Sequence, residues 1–148
     1  YKIPKVYNSG RHNDMRYYVT RKFTTDLEDY LTHESKLGQC QVLEIVLQLL
    51  DIFKVIHGAG YTYKDLKPEN IMLNNTLTGD LSVTLIDFGF AEKFEGLDKN
   101  SETDFQGNLL FSSLNQQEFG VTFPKDDLES LSYLLIYLMN NCSFPKLD

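Results

Sequence analysis

The chain has 148 residues, 42% of them hydrophobic, enough for one domain with its own core and too few to expect two. Its 14 basic and 21 acidic residues leave a net charge of -7 and a sequence pI near 4.9, which argues against any general attraction to nucleic acid or anionic membrane. Cys40 and Cys142 lie far apart without a zinc-ligand spacing and fit a reducing, cytoplasmic setting.

The N-terminus is polar and basic, with no apolar signal segment, and the longest apolar runs are interrupted by Glu44, Gln48 and Asp51, so no membrane insertion is expected. Residues 1–6 and 17–20 read as short strands of a hairpin around the turn-rich segment 8–14. Thr25-Asp26-Leu27-Glu28 has the capping-box pattern, so Thr25 is expected to cap a short helix running to about Glu34. Residues 39–57 predict a long helix with apolar residues at too many positions for one stripe, implying burial on several sides and a C-terminus at Gly58 and Gly60. His57, inside that end, needs only to donate to the last carbonyls of its helix.

The stretch 61–90 carries the chemistry. The Lys67-Pro68 step disfavours the α conformation at Lys67, so a loop can turn Asp65, Lys67 and Asn70 toward one point. Residues 71–73 and 81–86 predict a two-strand pairing around the polar loop 74–80, which sets the distance from Asn70 to Asp87. Gly89 then permits a turn closed to other residues. Phosphoryl transfer needs a carboxylate at the attacking hydroxyl, a cation on the transferred group and hard oxygen ligands for a metal. Asp65, Lys67 and the pair Asn70 with Asp87 supply these in turn. Residues 91–123 read as a long functional loop. Asp126 or Asp127 caps a helix through Met139, ended by Asn140, Asn141 and Pro145.

Tyr63-Lys64-Asp65-Leu66-Lys67-Pro68-Glu69-Asn70 followed by Asp87-Phe88-Gly89 resembles the catalytic loop and magnesium loop of eukaryotic protein kinases. The resemblance implies catalytic roles for Asp65 and Lys67, and Mg2+ held by Asn70 and Asp87. It implies an ATP site that also includes Thr20, at the gatekeeper position, with Arg21 and Phe23 in the hinge. Tyr63, Phe88, Gly89 and Asp127 would support the site, Asp127 by accepting amide hydrogens of the catalytic loop. Lys64 departs from the family's usual arginine, which often grips an activation-loop phosphate; lysine keeps the charge without the bidentate fork.

Ser113-Leu114-Asn115 and Asp126-Asp127-Leu128-Glu129-Ser130-Leu131 resemble the casein kinase one branch. That branch usually has an arginine for substrate phosphate where this chain has Leu110, and only Lys93 and Lys99 are nearby in sequence to compensate. The implied fold is α+β, an incomplete protein kinase-like fold that is mainly the helical C-terminal lobe with short β hairpins. Residues 1–23 would be the last small-lobe strands and hinge, and 24–148 a partial C-terminal lobe. A glycine-rich loop, a phosphate-holding strand lysine and its partner glutamate helix are not found before Thr20, so the 148 residues alone are expected to be inactive. The expected function is a serine/threonine protein kinase using ATP on a protein substrate. The alternative is a catalytically inactive kinase-like scaffold subunit bound to an assembly partner, its oligomeric state unknown.

Overall fold

The computed structural model describes residues 3–33, 37–75, 81–98 and 103–145. Strands β1 (Asn8–His12) and β2 (Met15–Val19) form an antiparallel hairpin, His12 facing Met15 across a turn in which Asn13 takes φ 52°. The hairpin expected from the sequence is present, but its first strand is the polar segment 8–12 rather than 1–6, of which Tyr1 and Lys2 lie outside the described residues. Asparagine tolerates the left-handed region, so the two-residue turn settles at Asn13-Asp14 and the polar residues before it are drawn into the ladder.

A two-residue strand, β3 (Thr25–Asp26), leads into α1 (Leu27–His33). Here the capping expectation is corrected: Asp26 Oδ1 accepts the Asp29 amide at 2.8 Å, while Thr25 is drawn into pairing with Leu73. The helix therefore starts one residue later than a Thr25 cap would place it, and Glu34 lies outside the described residues.

Helix α2 (Gln39–Gly58) ends with the amide of Gly60, at φ 83°, donating to the His57 carbonyl at 3.0 Å. Its buried residues, Val42, Ile45, Val46, Leu49, Ile52, Phe53 and Ile56, follow one helical stripe that packs against α4 (Pro124–Met139) and strand β6 (Leu81–Leu85). The expectation of burial on several sides is not met: Leu47 and Val55 are 62% and 61% exposed. Among the described residues the long helix meets neighbours along that stripe, and the opposite apolar positions face solvent.

Strand β4 (Tyr61–Thr62) precedes the loop 63–67, a single 3-10 turn at Pro68–Asn70, and strand β5 (Ile71–Asn75). β5 lies between β3 and β6 in an antiparallel sheet, with Ile71 opposite Leu85. Residues 76–80 of the connecting loop lie outside the described residues. β6 is an edge strand, and the Gln48 side chain of α2 acts as its missing neighbour, donating to the Leu81 carbonyl at 2.9 Å and accepting the Val83 amide at 3.0 Å.

The long loop 91–123 is partly ordered into β7 (Glu92–Lys93), which pairs with β4, and a short helix, α3 (Leu114–Gln117). Helix α4 starts at Pro124, where Asp126 accepts the Phe123 amide at 2.8 Å, and Ser113 joins it by donating to Asp126 Oδ1 at 2.9 Å. Among the described residues no helix is long and apolar enough to cross a membrane. Replacing Asp26 by Ala should lower stability by about 1 kcal/mol in urea unfolding, while Asp26→Asn, which keeps an acceptor, should change it little.

Candidate active site

The loop 63–67 is fixed from below by α4. Asp127, 2% exposed, accepts the Tyr63 amide at 2.8 Å on one oxygen and the Lys64 amide at 2.9 Å on the other. His57 Nε2 sits 2.7 Å from Asp127 Oδ2, with its ring stacked on Phe53 at 5.5 Å. The sequence reading of His57 is thereby corrected. Its ring turns toward a buried carboxylate reached across 70 residues of sequence instead of toward its own helix carbonyls, because a buried anion is the stronger partner.

With its amide held, Lys64 takes φ 74°, a left-handed conformation rare for a long side chain. Its Nζ is buried and donates to Glu92 at 2.7 Å and to Gln106 Oε1 at 3.0 Å. The next residue, Asp65, is thrown inward and is 2% exposed. Asp65 Oδ2 accepts from Asn70 Nδ2 at 2.9 Å and lies 3.1 Å from Lys67 Nζ, and the Asn70 amide also donates to the Asp65 carbonyl at 2.9 Å. Lys67 is extended, at φ -159° and ψ 158°, as a residue before proline should be. Asp65 Oδ1 is buried with no hydrogen-bond partner among the described residues. A buried carboxylate oxygen left open costs stability, which marks Asp65 as a candidate functional group.

Asp87 is carried to the same place from the other side. The Ile86 amide donates to the Asn70 carbonyl at 3.0 Å, and the buried Tyr63 hydroxyl donates to the Ile86 carbonyl at 2.6 Å. The Tyr63 ring meets Phe88 edge-on at 5.4 Å. Burial, and then the charges of Asp65 and Asp87, push the Tyr63 phenol far above its ordinary range, so it stays a neutral donor. Asp87 itself has φ 55° and accepts the Gly89 amide at 3.1 Å.

Above Asp87 opens a cleft of about 680 Å³ whose lining includes Val6, Tyr18, Thr20, Phe23, Ile86 and Asp87. Thr20 and Phe23 face it; the Arg21 guanidinium lies 4.9 Å over the Phe23 ring on the exposed side. Leu110 is 55% exposed, Lys93 is exposed, and Lys99 lies outside the described residues.

The sequence matches the protein kinase domain family over residues 2–141. This chain belongs to that family. It is 25% identical over 144 residues to a probable serine/threonine-protein kinase of fowlpox virus, covering 90% of this chain and 46% of the relative. It is 32% identical over 132 residues to nucleosomal histone kinase 1 of Drosophila melanogaster, covering 87% and 21%. It is 29% identical over 143 residues to a probable casein kinase I homolog of Encephalitozoon cuniculi, covering 93% and 44%. The chain thus spans less than half the length of these relatives.

Within this kinase domain, sequence reasoning missed His57, Glu92, Gln106 and Gln116, which hold the loop through contacts 28 to 70 residues apart in sequence. Only the repeated occurrence of polar residues in an otherwise apolar setting, as at His57, offered a signal.

Two expected outcomes follow from this geometry. Asp127→Asn, which turns an amide donor toward one of the two loop N–H groups, should cost about 1–3 kcal/mol by denaturant unfolding. Beside the site, burial and then the charges of Glu69, Asp26 and Asp29 raise the Glu28 carboxyl above its ordinary value. A raised carboxyl favours the fold when protonated, and that contribution is lost as pH rises through its folded value. Glu28→Gln should therefore raise Tm at pH 7, with the advantage shrinking as pH falls through the raised Glu28 value and gone once pH lies below the ordinary carboxylate range, in a melting series.

Proposed function

We propose that this chain is the catalytic portion of a serine/threonine protein kinase of casein kinase one type, which transfers the γ-phosphate of ATP to protein hydroxyls. The observation that carries this reading is the open Asp65 Oδ1, buried beside Lys67 and Asn70. The matched kinases, together with Ser113-Leu114-Asn115 and the Asp126-Asp127 helix start, support the branch.

Asp65 Oδ1 would orient the acceptor hydroxyl and take its proton as the new O–P bond forms and the bond from the γ-phosphorus to the bridging oxygen breaks, releasing ADP. Asn70 holds the other carboxylate oxygen still, and Lys67, tethered at 3.1 Å, places a cation where the transferring group carries negative charge. The hard oxygens of Asn70 and Asp87 fit Mg2+, an ion usually held by one or two carboxylates together with substrate phosphates. When bound, magnesium ATP supplies the phosphoryl group with part of its charge neutralised. Thr20 and Phe23 line the side of the cleft suited to the adenine, and the backbone of Arg21, next to Thr20 in the chain, would meet it there. Tyr63, Phe88, Gly89 and Asp127 hold the two loops in register. The wide separation of Cys40 and Cys142 in sequence, without a zinc-ligand spacing, supports a reducing, cytoplasmic setting.

The exposed apolar face of α2, including Leu43, Leu47, Leu50 and Val55, favours a second reading, a kinase-like scaffold whose partner covers that face. The two separate on nucleotide and on transfer. For the kinase reading, Asp65→Asn in the full-length protein should cut phosphotransfer to a serine/threonine peptide library by at least about 100-fold with the fold retained by circular dichroism. Magnesium ATP at about 100 times its Kd should stabilise the protein by about 2.7 kcal/mol, and Asp87→Asn should remove that gain. Undiminished transfer in Asp65→Asn would sink the role given to Asp65, and the absence of any nucleotide shift would favour the scaffold.

A further inference from the structure

Lys64 is the residue at which four separate stretches of chain meet. Its amide is held by Asp127 of α4, its Nζ by Glu92 of β7 and by the Gln106 side chain, and its carbonyl accepts from Gln116 Nε2 of α3 at 2.9 Å. The same Gln116 Nε2 donates to the Gln106 backbone carbonyl. Lys64, Gln106 and Gln116 thus form a closed ring of three hydrogen-bonded links, and Gln116 is buried at 3% exposure. Both acceptors of Gln116 are carbonyl oxygens, so its NH2 end must face them; an amide has two such hydrogens and both are used.

Gly107, at φ 106°, passes so close beneath this ring that a Cβ there would run into the Lys64 carbonyl oxygen. Segment 106–107 and the Lys64 peptide are therefore in direct contact, and Gln116 is the side chain that joins them. We propose that Gln116 is a positioning residue for the phosphotransfer site. It fixes the Lys64 peptide, and with it the inward direction of Asp65, to the segment that follows β7, so that the loop carrying Asp65 and the segment 106–117 hold position as one unit.

This inference rests on the catalytic reading of Asp65. Asp65→Asn, Gln116→Met and Gln116→Glu are compared in the full-length protein with magnesium ATP and the same peptide library. Gln116→Met keeps length and burial but donates nothing. Its kcat should fall about 10- to 100-fold with the KM for ATP within about twofold, since geometry at the reacting atoms is lost while nucleotide contacts remain. Gln116→Glu can donate only when protonated, so its kcat relative to the unsubstituted protein should rise as pH falls. Hydrogen exchange in segments 62–66 and 104–111 should accelerate together in Gln116→Met.

A Gln116→Met variant with unchanged kcat and unchanged exchange, while Asp65→Asn abolishes transfer, overturns the inference and leaves the kinase reading standing. A Gln116→Glu ratio flat with pH also counts against it. Retained transfer in Asp65→Asn overturns both together. Should Gln116→Met fail to fold, the pH response of Gln116→Glu decides alone.

Discussion

A single carboxylate does the most to set this structure. Asp127, the fourth residue of α4, is buried and spends its two oxygens on consecutive backbone amides of the loop that leads to Asp65. Consecutive amides point the same way only where the chain turns sharply, so accepting both dictates the backbone at Lys64 as well as its location. A left-handed lysine is unfavourable by itself and persists because the surroundings over-determine it. The helix that carries Asp127 is in turn locked to α2 through the main core, with Leu134 and Leu49 both fully buried. Core packing is thereby converted into the direction of one side chain.

The second loop is built on the same logic from different parts. Asp87, also left-handed at φ 55°, follows a strand whose register with β5 is fixed by the facing pair Ile71 and Leu85. Tyr63 and the Asn70 carbonyl both hold Ile86, the residue just before it. Each of the two loops therefore carries a strained residue, and each is restrained by hydrogen bonds from a neighbour that is not strained. Sites of this kind hold their geometry before anything binds, so binding need not bear the cost of ordering the loops.

What could be read from the sequence was what the chain settles locally. The juxtaposition of Asp65, Lys67 and Asn70 spans six residues and follows from a proline step, and the β5–β6 pairing spans a hairpin. The helix 39–58 followed from periodicity and its glycines. What could not be read depended on distant partners. Thr25 had the capping signature but was recruited into a strand by Leu73, 48 residues away, leaving Asp26 to cap. The apolar content of α2 showed that it was hydrophobic nearly all round, and only packing decided which stripe found neighbours. His57 and Gln116 act across 70 and 52 residues of sequence, where no local pattern distinguishes a buried polar group with a partner from an exposed one.

The Gln48 amide on β6 has a consequence for solubility as well as for folding. An edge strand normally displays alternate N–H and C=O groups to any extended chain that comes near, and in a sheet of three strands that invitation is costly to leave open. By filling the Leu81 carbonyl and the Val83 amide from a helix, Gln48 closes the stretch of β6 where a foreign strand would begin to zip on. The strand that delivers Asp87 is thus kept out of intermolecular β-sheets by a side chain with no part in the chemistry.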